Sequence, residues 1–262
     1  MTEAAPIMQD HDTSGLPEGV ACYVYGIVPA AWRDVPGDVT GLDDTPVELV
    51  VHGEVAAVVG GVTIDRPPGR RAELVAHSRV LDAVAAASAV IPVRFGSFMP
   101  SVAAVVEELL GPNHDRFTAL LADLAGRAQF SIRARYNEAA VLAEVVAEQP
   151  EVAHLREITR GLPEEAAYPQ RVRLGELVSK TLEAKREADT AIMLDAILPH
   201  TVAYHVRAGS DLDHMADVAF LVDVDQRQAF EDAAEAVAEA MHERARLRLL
   251  GPMAPYDFVA EE

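Results

Sequence analysis

The stretch VACYVYGIV, Val20–Val28, combines β-branched and aromatic residues in one short apolar run. Such a run is typical of a β-strand, and a loop rich in Pro, Gly and Asp follows it over residues 29–46. The next apolar residues, Val47–Val62, are interrupted only at His52-Gly53. They therefore predict two strands that form a hairpin.

Helices and strands alternate in the remainder of this half. Residues 71–87 predict a helix because Leu74, Val75, Leu81 and Val84 recur at helical spacing. The next segment, Ser88–Phe98, predicts a strand in which Pro92 marks an edge or a bulge. The further elements expected here are helices over Ser101–Leu110 and Asn113–Gly126 and a strand over Arg127–Tyr136. This order indicates an antiparallel or mixed sheet with helices on one face, which is an α+β fold.

The second half begins with helices and ends with strands. Its longest apolar stripe at helical spacing covers residues 170–198, and two shorter helices precede it from Asn137 and from Pro150. The expected order then continues with strands His200–Gly209 and Met215–Asp225, a helix over residues 226–244 and a strand Arg246–Leu250 that Gly251-Pro252 ends. We therefore predict a disordered leader (1–19), an N-terminal α+β domain (20–136), a C-terminal α+β domain (137–250) and a tail (251–262).

The composition excludes several classes of partner. Asp and Glu number 42 against 22 Lys and Arg, for a formal charge of −20. A surface this acidic repels nucleic-acid phosphates and anionic membranes, and no apolar run approaches the ~20 residues of a membrane span. The single cysteine, Cys22, cannot form an internal disulfide, which favours a cytosolic setting.

Catalytic, cofactor-binding and metal-binding motifs are not found in the sequence. There is no GxxxxGK[ST] phosphate loop and no GxSxG elbow, and Gly60-Gly61 lacks the rest of a dinucleotide site. Asp211–Asp217 does not fit a calcium loop, because Met215 and Ala216 occupy positions that require a ligand and a glycine. Arg66, Arg70 and Arg71 form a basic cluster that could hold an acidic partner or simply solvate a loop. We therefore predict neither an enzyme nor a cofactor.

Four stretches considered together resemble the gas vesicle protein F/L family. They are YVYGIV (Tyr23–Val28), VIPVRFGSFMPS (Val90–Ser101), DVAFLVD (Asp217–Asp223) and GPMAPYDFV (Gly251–Val259). The resemblance covers nearly the whole chain, and the Pro-x-Arg-Phe-Gly block and the Gly-Pro-x-x-Pro-Tyr-x-Phe tail are its specific parts.

The resemblance implies a minor gas vesicle protein, found in the cytoplasm and at the gas vesicle. It implies two α+β domains, of which the N-terminal one is ferredoxin-like, and a C-terminal tail that packs back. The implied partners are the small hydrophobic shell protein, whose aggregation the chain would limit during nucleation, and other minor gas vesicle proteins. No enzymatic activity or cofactor is implied.

Six residues of the two specific blocks are candidates for packing or for partner binding: Arg94, Phe95, Phe98, Pro255, Tyr256 and Phe258. Pro255 would hold the tail extended, so that Tyr256 and Phe258 point the same way into a groove between the domains. Phe95 and Phe98 would pack the sheet against its helices, and Arg94 would pair with a carboxylate of the other domain or of the tail. A tail that docks on a partner is the alternative.

Two other function classes compete with the assembly role. The first is a small-ligand-binding regulatory protein, because α+β sheets often bind metabolites at a sheet edge or a domain interface. The second is an enzyme whose site has no recognised motif.

Overall fold

The computed structural model describes residues 7–8, 20–33, 35, 39–63, 69–209, 211 and 213–259. Its contacts divide the chain into two compact units. The first unit comprises Met1–Gln129 and Gly251–Glu262, and the second comprises Phe130–Leu250. Of the predicted disordered leader, Ile7–Met8 form a short strand, and the rest lies outside the described residues.

The first unit is built on a six-stranded sheet. Its strands are β1 (Ile7–Met8), β2 (Val20–Pro29), β3 (Val47–His52), β4 (Val55–Thr63), β5 (Ile91–Pro92) and β6 (Phe98–Met99). Its helices are α1 (Arg71–Ala87), α2 (Val102–Ala104), a π-helix (Val105–Leu110), α3 (His114–Leu124) and 3₁₀ turns at Leu42–Asp44 and Tyr256–Phe258. The strand order is β1-β3-β4-β2-β5, and β6 also pairs with β2. All of these pairs are antiparallel except β1 with β3.

Strand β2 is covered on both faces. Residues 21–28 are all buried. On one face Tyr23 contacts His77 of α1, and on the other Val24 lines an apolar groove together with Phe117 of α3. The expectation of helices on one face of this sheet is therefore wrong, because a continuously apolar strand leaves no polar side to face water.

Helix α1 has the predicted extent but a different buried face. Its buried residues are Glu73, His77, Val80, Leu81 and Val84. Leu74 and Val75, which the helical spacing placed in the apolar stripe, are 46% and 48% exposed. The aromatic rings of β2 decide which side of α1 is buried, and His77 takes a core position because it has hydrogen-bonding partners there.

The predicted strand Ser88–Phe98 is interrupted. Only Ile91–Pro92 and Phe98–Met99 pair with β2, and the residues between them form a turn. Gly96 has φ +90°, a conformation that favours glycine, and its amide donates to the Tyr23 hydroxyl at 3.0 Å. Arg94 and Phe95 thus lie in a turn and not on opposite faces of a regular strand.

The second unit contains a four-stranded sheet and long helices. The strands of this sheet are β7 (Arg127–Tyr136), β8 (Ala203–Arg207), β9 (His214–Asp223) and β10 (Ala245–Met253), of which residues 127–129 and 251–253 belong to the first unit. The helices of the second unit are α4 (Glu138–Glu148), α5 (Pro150–Thr159), α6 (Glu164–Ile197) and α7 (Arg227–Met241), with 3₁₀ turns at Leu198–His200 and Val224–Gln226. The 34-residue α6 confirms the predicted long helix, although it begins before Pro169.

The second unit has the ferredoxin-like topology. The strand order is β10-β7-β9-β8, so that β9 lies between β7 and β8, the two strands that helices α4–α6 connect. This is the split βαβ arrangement of a βαββαβ chain. The α+β class is confirmed, but the ferredoxin-like sheet belongs to the second unit and not to the N-terminal part, where β3 and β4 form a hairpin beside β2. The sequence showed the element order of both halves but not which strands pair.

Strand β10 continues past the predicted stop. It runs through a cis Gly251-Pro252 peptide bond to Met253, and Gly251 has φ +126°. Pro252 is tolerated because β10 is an edge strand, where a residue can lack a backbone donor. Among the described residues, no helix combines the length and apolar character needed to cross a bilayer.

Candidate functional site

An apolar groove with a volume of ≈ 510 Å³ opens in the first unit. Its floor comes from β2, β5 and β6, one wall comes from α3, and the C-terminal segment closes one side. The main apolar contributors are Val24, Ile27, Ile91, Phe98, Phe117, Leu120 and Val259. Strands β5 and β6 pair only with parts of β2. The residues between them are joined to the middle of β2 by hydrogen bonds from the Val24 amide to Ser97 and from the Val93 amide to Tyr25.

Three of the six predicted candidates line this groove. Arg94 is exposed at its edge, Phe98 is half-buried, and Tyr256 is 40% exposed. No described residue forms an ion pair with Arg94, so the carboxylate partner predicted for it is not found in that part of the chain.

The other three candidates are not among the residues that line the groove. Phe95 lies beside the imidazole of His77, with ring centroids 5.6 Å apart, and also contacts the core of the first unit. Pro255 is buried and Phe258 is half-buried. Residues 256–258 form a 3₁₀ turn, so the expectation of an extended tail is wrong. The tail packs in a groove of the first unit itself, where Ala254 is fully buried.

A buried histidine connects this tail to the sheet. The Nδ1 atom of His77 lies 2.9 Å from the Tyr23 hydroxyl, and its Nε2 atom lies 2.9 Å from the Tyr256 hydroxyl. Because the Gly96 amide already donates to the Tyr23 oxygen, we assign the Tyr23 hydrogen to Nδ1. The neutral imidazole then donates from Nε2 to Tyr256. The side chains of β2, α1 and the tail are thus joined in one chain of hydrogen bonds.

The stability of the first unit is expected to fall with acid through His77. Burial lowers the pKa of His77 from 6.5 to about 4, and a backbone contact with Val93 acts in the opposite direction. As the pH falls, His77 therefore becomes protonated in the unfolded chain before it does in the folded one. The stabilisation that neutral His77 provides is complete above pH 6.5 and is lost as the pH falls towards 4. Urea unfolding followed by the fluorescence of Trp32, the single tryptophan, measures this because Trp32 packs against the first-unit core.

The control for this measurement is His77→Gln, which cannot titrate. It should be less stable than wild type at neutral pH, but its unfolding midpoint should change less between these pH values. Equal pH dependence in the two proteins would show that His77 is not the titrating group.

Two further side chains, those of Gln129 and Asp82, form hydrogen bonds to the tail. The Gln129 side chain donates to an Asp257 carboxylate oxygen at 2.6 Å and accepts from the Asp257 amide at 3.1 Å. Asp82 of α1 accepts a hydrogen bond from the Ala254 backbone. Burial raises the pKa of Asp82, and this hydrogen bond opposes that effect.

Sequence reasoning missed His77, Gln129, Asp82 and Arg116 as parts of this region. Only His77 carried a signal, because it lies one helical turn from Leu81 on α1. Gln129 and Asp257 are 128 residues apart, and neither belongs to a motif. Cys22 is buried, and its burial, helped by the charge of Glu48, raises the pKa of its thiol to about 11.

Comparison with known proteins identifies the family. A family model described as "Gas vesicle synthesis protein GvpL/GvpF" matches residues 21–260. The chain belongs to the GvpL/GvpF family. Gas vesicle protein F of Streptomyces sp. (strain CB03234) is 33% identical over 243 residues, which cover 92% of this chain and 100% of that protein. Gas vesicle protein L of the same strain is 27% identical over 256 residues, which cover 92% of this chain and 94% of that protein.

The fold is that of solved GvpF structures. The crystal structure of GvpF from Anabaena sp. PCC7120 matches with a TM-score of 0.78 and 23% identity, covering 92% of this chain and 99% of that one. The crystal structure of GvpF from Microcystis aeruginosa matches with a TM-score of 0.76 and 22% identity, and the match covers 92% of this chain and 99% of that one. Membership in the GvpL/GvpF family gives this chain a role in gas vesicles.

Proposed function

We propose that this chain binds the small hydrophobic shell protein of the gas vesicle in the cytoplasm and limits its aggregation while the shell nucleates. The observation that supports this is the apolar groove, whose half-exposed residues Leu109, Leu120 and Val259 are open to a partner's apolar side chains. Covering these apolar side chains with a partner's apolar surface lowers the free energy of the complex.

The charge of the molecule supports the second part of the proposal. A shell subunit exposes apolar surface before it assembles, and such surface aggregates. A bound protein with a formal charge of −20 would keep the complex dispersed by repulsion between complexes. The groove would therefore provide binding, and the acidic surface would provide solubility.

Co-expression with the shell protein tests this proposal. Wild type is expected to retain shell protein in the soluble fraction and in a pull-down. Leu120→Asp, which places a charge in the groove, should reduce the captured shell protein by about tenfold or more, the factor that about 1.4 kcal/mol produces. Leu74→Asp is the matched control, because Leu74 is 46% exposed on α1 of the same unit and should leave capture unchanged.

Wild type that neither binds nor solubilises the shell protein would refute this mechanism. The groove would then favour the small-ligand alternative, since its volume of ≈ 510 Å³ is typical of small-molecule sites. A thermal-shift screen of metabolites, read by Trp32 fluorescence, would examine that alternative.

A further inference from the structure

The groove has a charge opposite to that of the molecule. Among the described residues that line it, Arg94 and Arg116 are the only charged ones, and none is a carboxylate. Acidic side chains outnumber basic ones by 42 to 22 in the sequence. A groove edged by arginine alone is therefore a local reversal of the overall charge.

Both arginines are available to a ligand. Arg94 and Arg116 are exposed, and neither forms an ion pair or a side-chain hydrogen bond with any residue that the structure describes. In the second unit, by contrast, Arg135, Arg207 and Arg244 each bind a carboxylate within 3.2 Å. Within the part of the chain that the structure describes, the arginines of the groove thus keep unused donors beside an apolar floor.

We infer that the shell-protein segment that occupies this groove is an apolar segment carrying carboxylates that pair with Arg94 and Arg116. This inference rests on the proposed function. A wholly apolar segment would take water from two guanidinium groups without replacing their hydrogen bonds, which is unfavourable. A carboxylate accepts two parallel hydrogen bonds from a guanidinium, so it restores them and fixes the register of the segment.

The charges also select among segments. A segment with lysine or arginine beside its apolar residues would place like charges next to Arg94 and Arg116, and it would be rejected. The groove would therefore distinguish an anionic apolar segment from other apolar surfaces, which its floor alone cannot do.

The test compares two double charge reversals. Arg94→Glu/Arg116→Glu reverses the groove, and Arg71→Glu/Arg79→Glu makes the same charge change on α1, where both arginines also lack an ion pair among the described residues. Capture of shell protein by the groove variant should fall by about tenfold or more, as expected for like charges at a binding site. The α1 variant should stay within about twofold of wild type, since surface charges away from a contact contribute little. Trp32 fluorescence confirms that both variants are folded.

Salt provides an independent readout. Wild-type binding should weaken between about 0.05 M and 0.5 M salt, because salt screens the ion pairs. The residual binding of the groove variant should instead strengthen, because salt screens the repulsion between its glutamates and the carboxylates of the segment. Arg94→Lys/Arg116→Lys should recover part of the binding, since it keeps the charge but not the paired donors.

The possible failures are distinguishable. If wild type does not bind the shell protein, the proposed function is wrong and this inference with it. If wild type binds and Arg94→Glu/Arg116→Glu binds equally well at both salt concentrations, the inference alone is wrong. An equal loss in the α1 variant would likewise overturn it, because net charge and not the groove would then control binding.

Discussion

A chain that ends at Gly251 is expected to lose about 3–5 kcal/mol of unfolding free energy in the first unit, a loss typical of a disrupted core. The deletion removes Ala254, which is fully buried, and Tyr256, which packs beside His77. It also leaves Gln129, only 1% exposed, without either of its bonds to Asp257. Each buried polar group left without a partner costs about 1–3 kcal/mol.

Urea unfolding monitored by Trp32 fluorescence measures this loss in the unit that contains the tail. Tyr256→Phe is the matched control, because it removes only the hydroxyl that faces His77 and should cost about 1 kcal/mol. A truncated chain as stable as wild type would show that the tail merely rests on the surface.

This expectation also affects how binding experiments are interpreted. Because the tail completes the core, loss of shell-protein binding after truncation would not show that the tail contacts the partner. Point variants on the groove wall, such as Leu120→Asp, separate a damaged core from a damaged contact surface.

Arg244→Met is expected to destabilise the second unit by about 2–3 kcal/mol, less than the cost of breaking a fully buried ion pair, because solvent screens the Arg244 side chain, which is 34% exposed. The Arg244 guanidinium contacts Asp189 at 3.0 Å and Glu144 at 2.6 Å. Asp189 is 5% exposed and also accepts from the Tyr136 hydroxyl at 2.6 Å. Without Arg244 the Asp189 carboxylate would lose the guanidinium that contacts it and would keep the Tyr136 hydroxyl as a neutral donor. The mutual contacts raise the pKa of Arg244 and lower that of Glu144.

Far-UV circular dichroism during urea unfolding reports this change, because the longest helix, α6, lies in the second unit and carries Asp189. Arg160→Met is the control. Arg160 pairs with Glu157 at the surface, where the two side chains are 65% and 70% exposed, so this substitution should cost less than about 0.5 kcal/mol. Similar losses in the two variants would mean that the Asp189 network contributes no more than a surface pair.

Acid is expected to act differently on the two units. The pKa of His77 is lowered, so the first unit loses stability as the pH falls below 6.5. In the second unit Arg244 and Lys185 hold the pKa of Glu144 below its ordinary value of 4.5, so that the stabilisation from this contact is complete above that pH and is lost in more acidic solution. Mild acid should therefore affect Trp32 fluorescence before the helical signal.

Local patterns alone determined much of the fold. The β3–β4 hairpin, the extent of α1, the alternating strand β7 and the long α6 were predictable because strand and helix periods depend on neighbouring residues. The four family stretches also indicated a gas vesicle protein, since their order and spacing are visible in the chain. Arg94 and Phe98 could be selected as site candidates for the same reason.

The tertiary structure decided what depends on distant residues. The tail is held by partners 128 and 179 positions away, at Gln129 and His77. Strand pairing gave the ferredoxin-like topology to the second unit and made β10 an edge that accepts Pro252. Arg116 joined Arg94 at the groove only because α3 covers the far face of β2. No local period encodes such contacts, because their free energy arises when separate segments exclude water from one another.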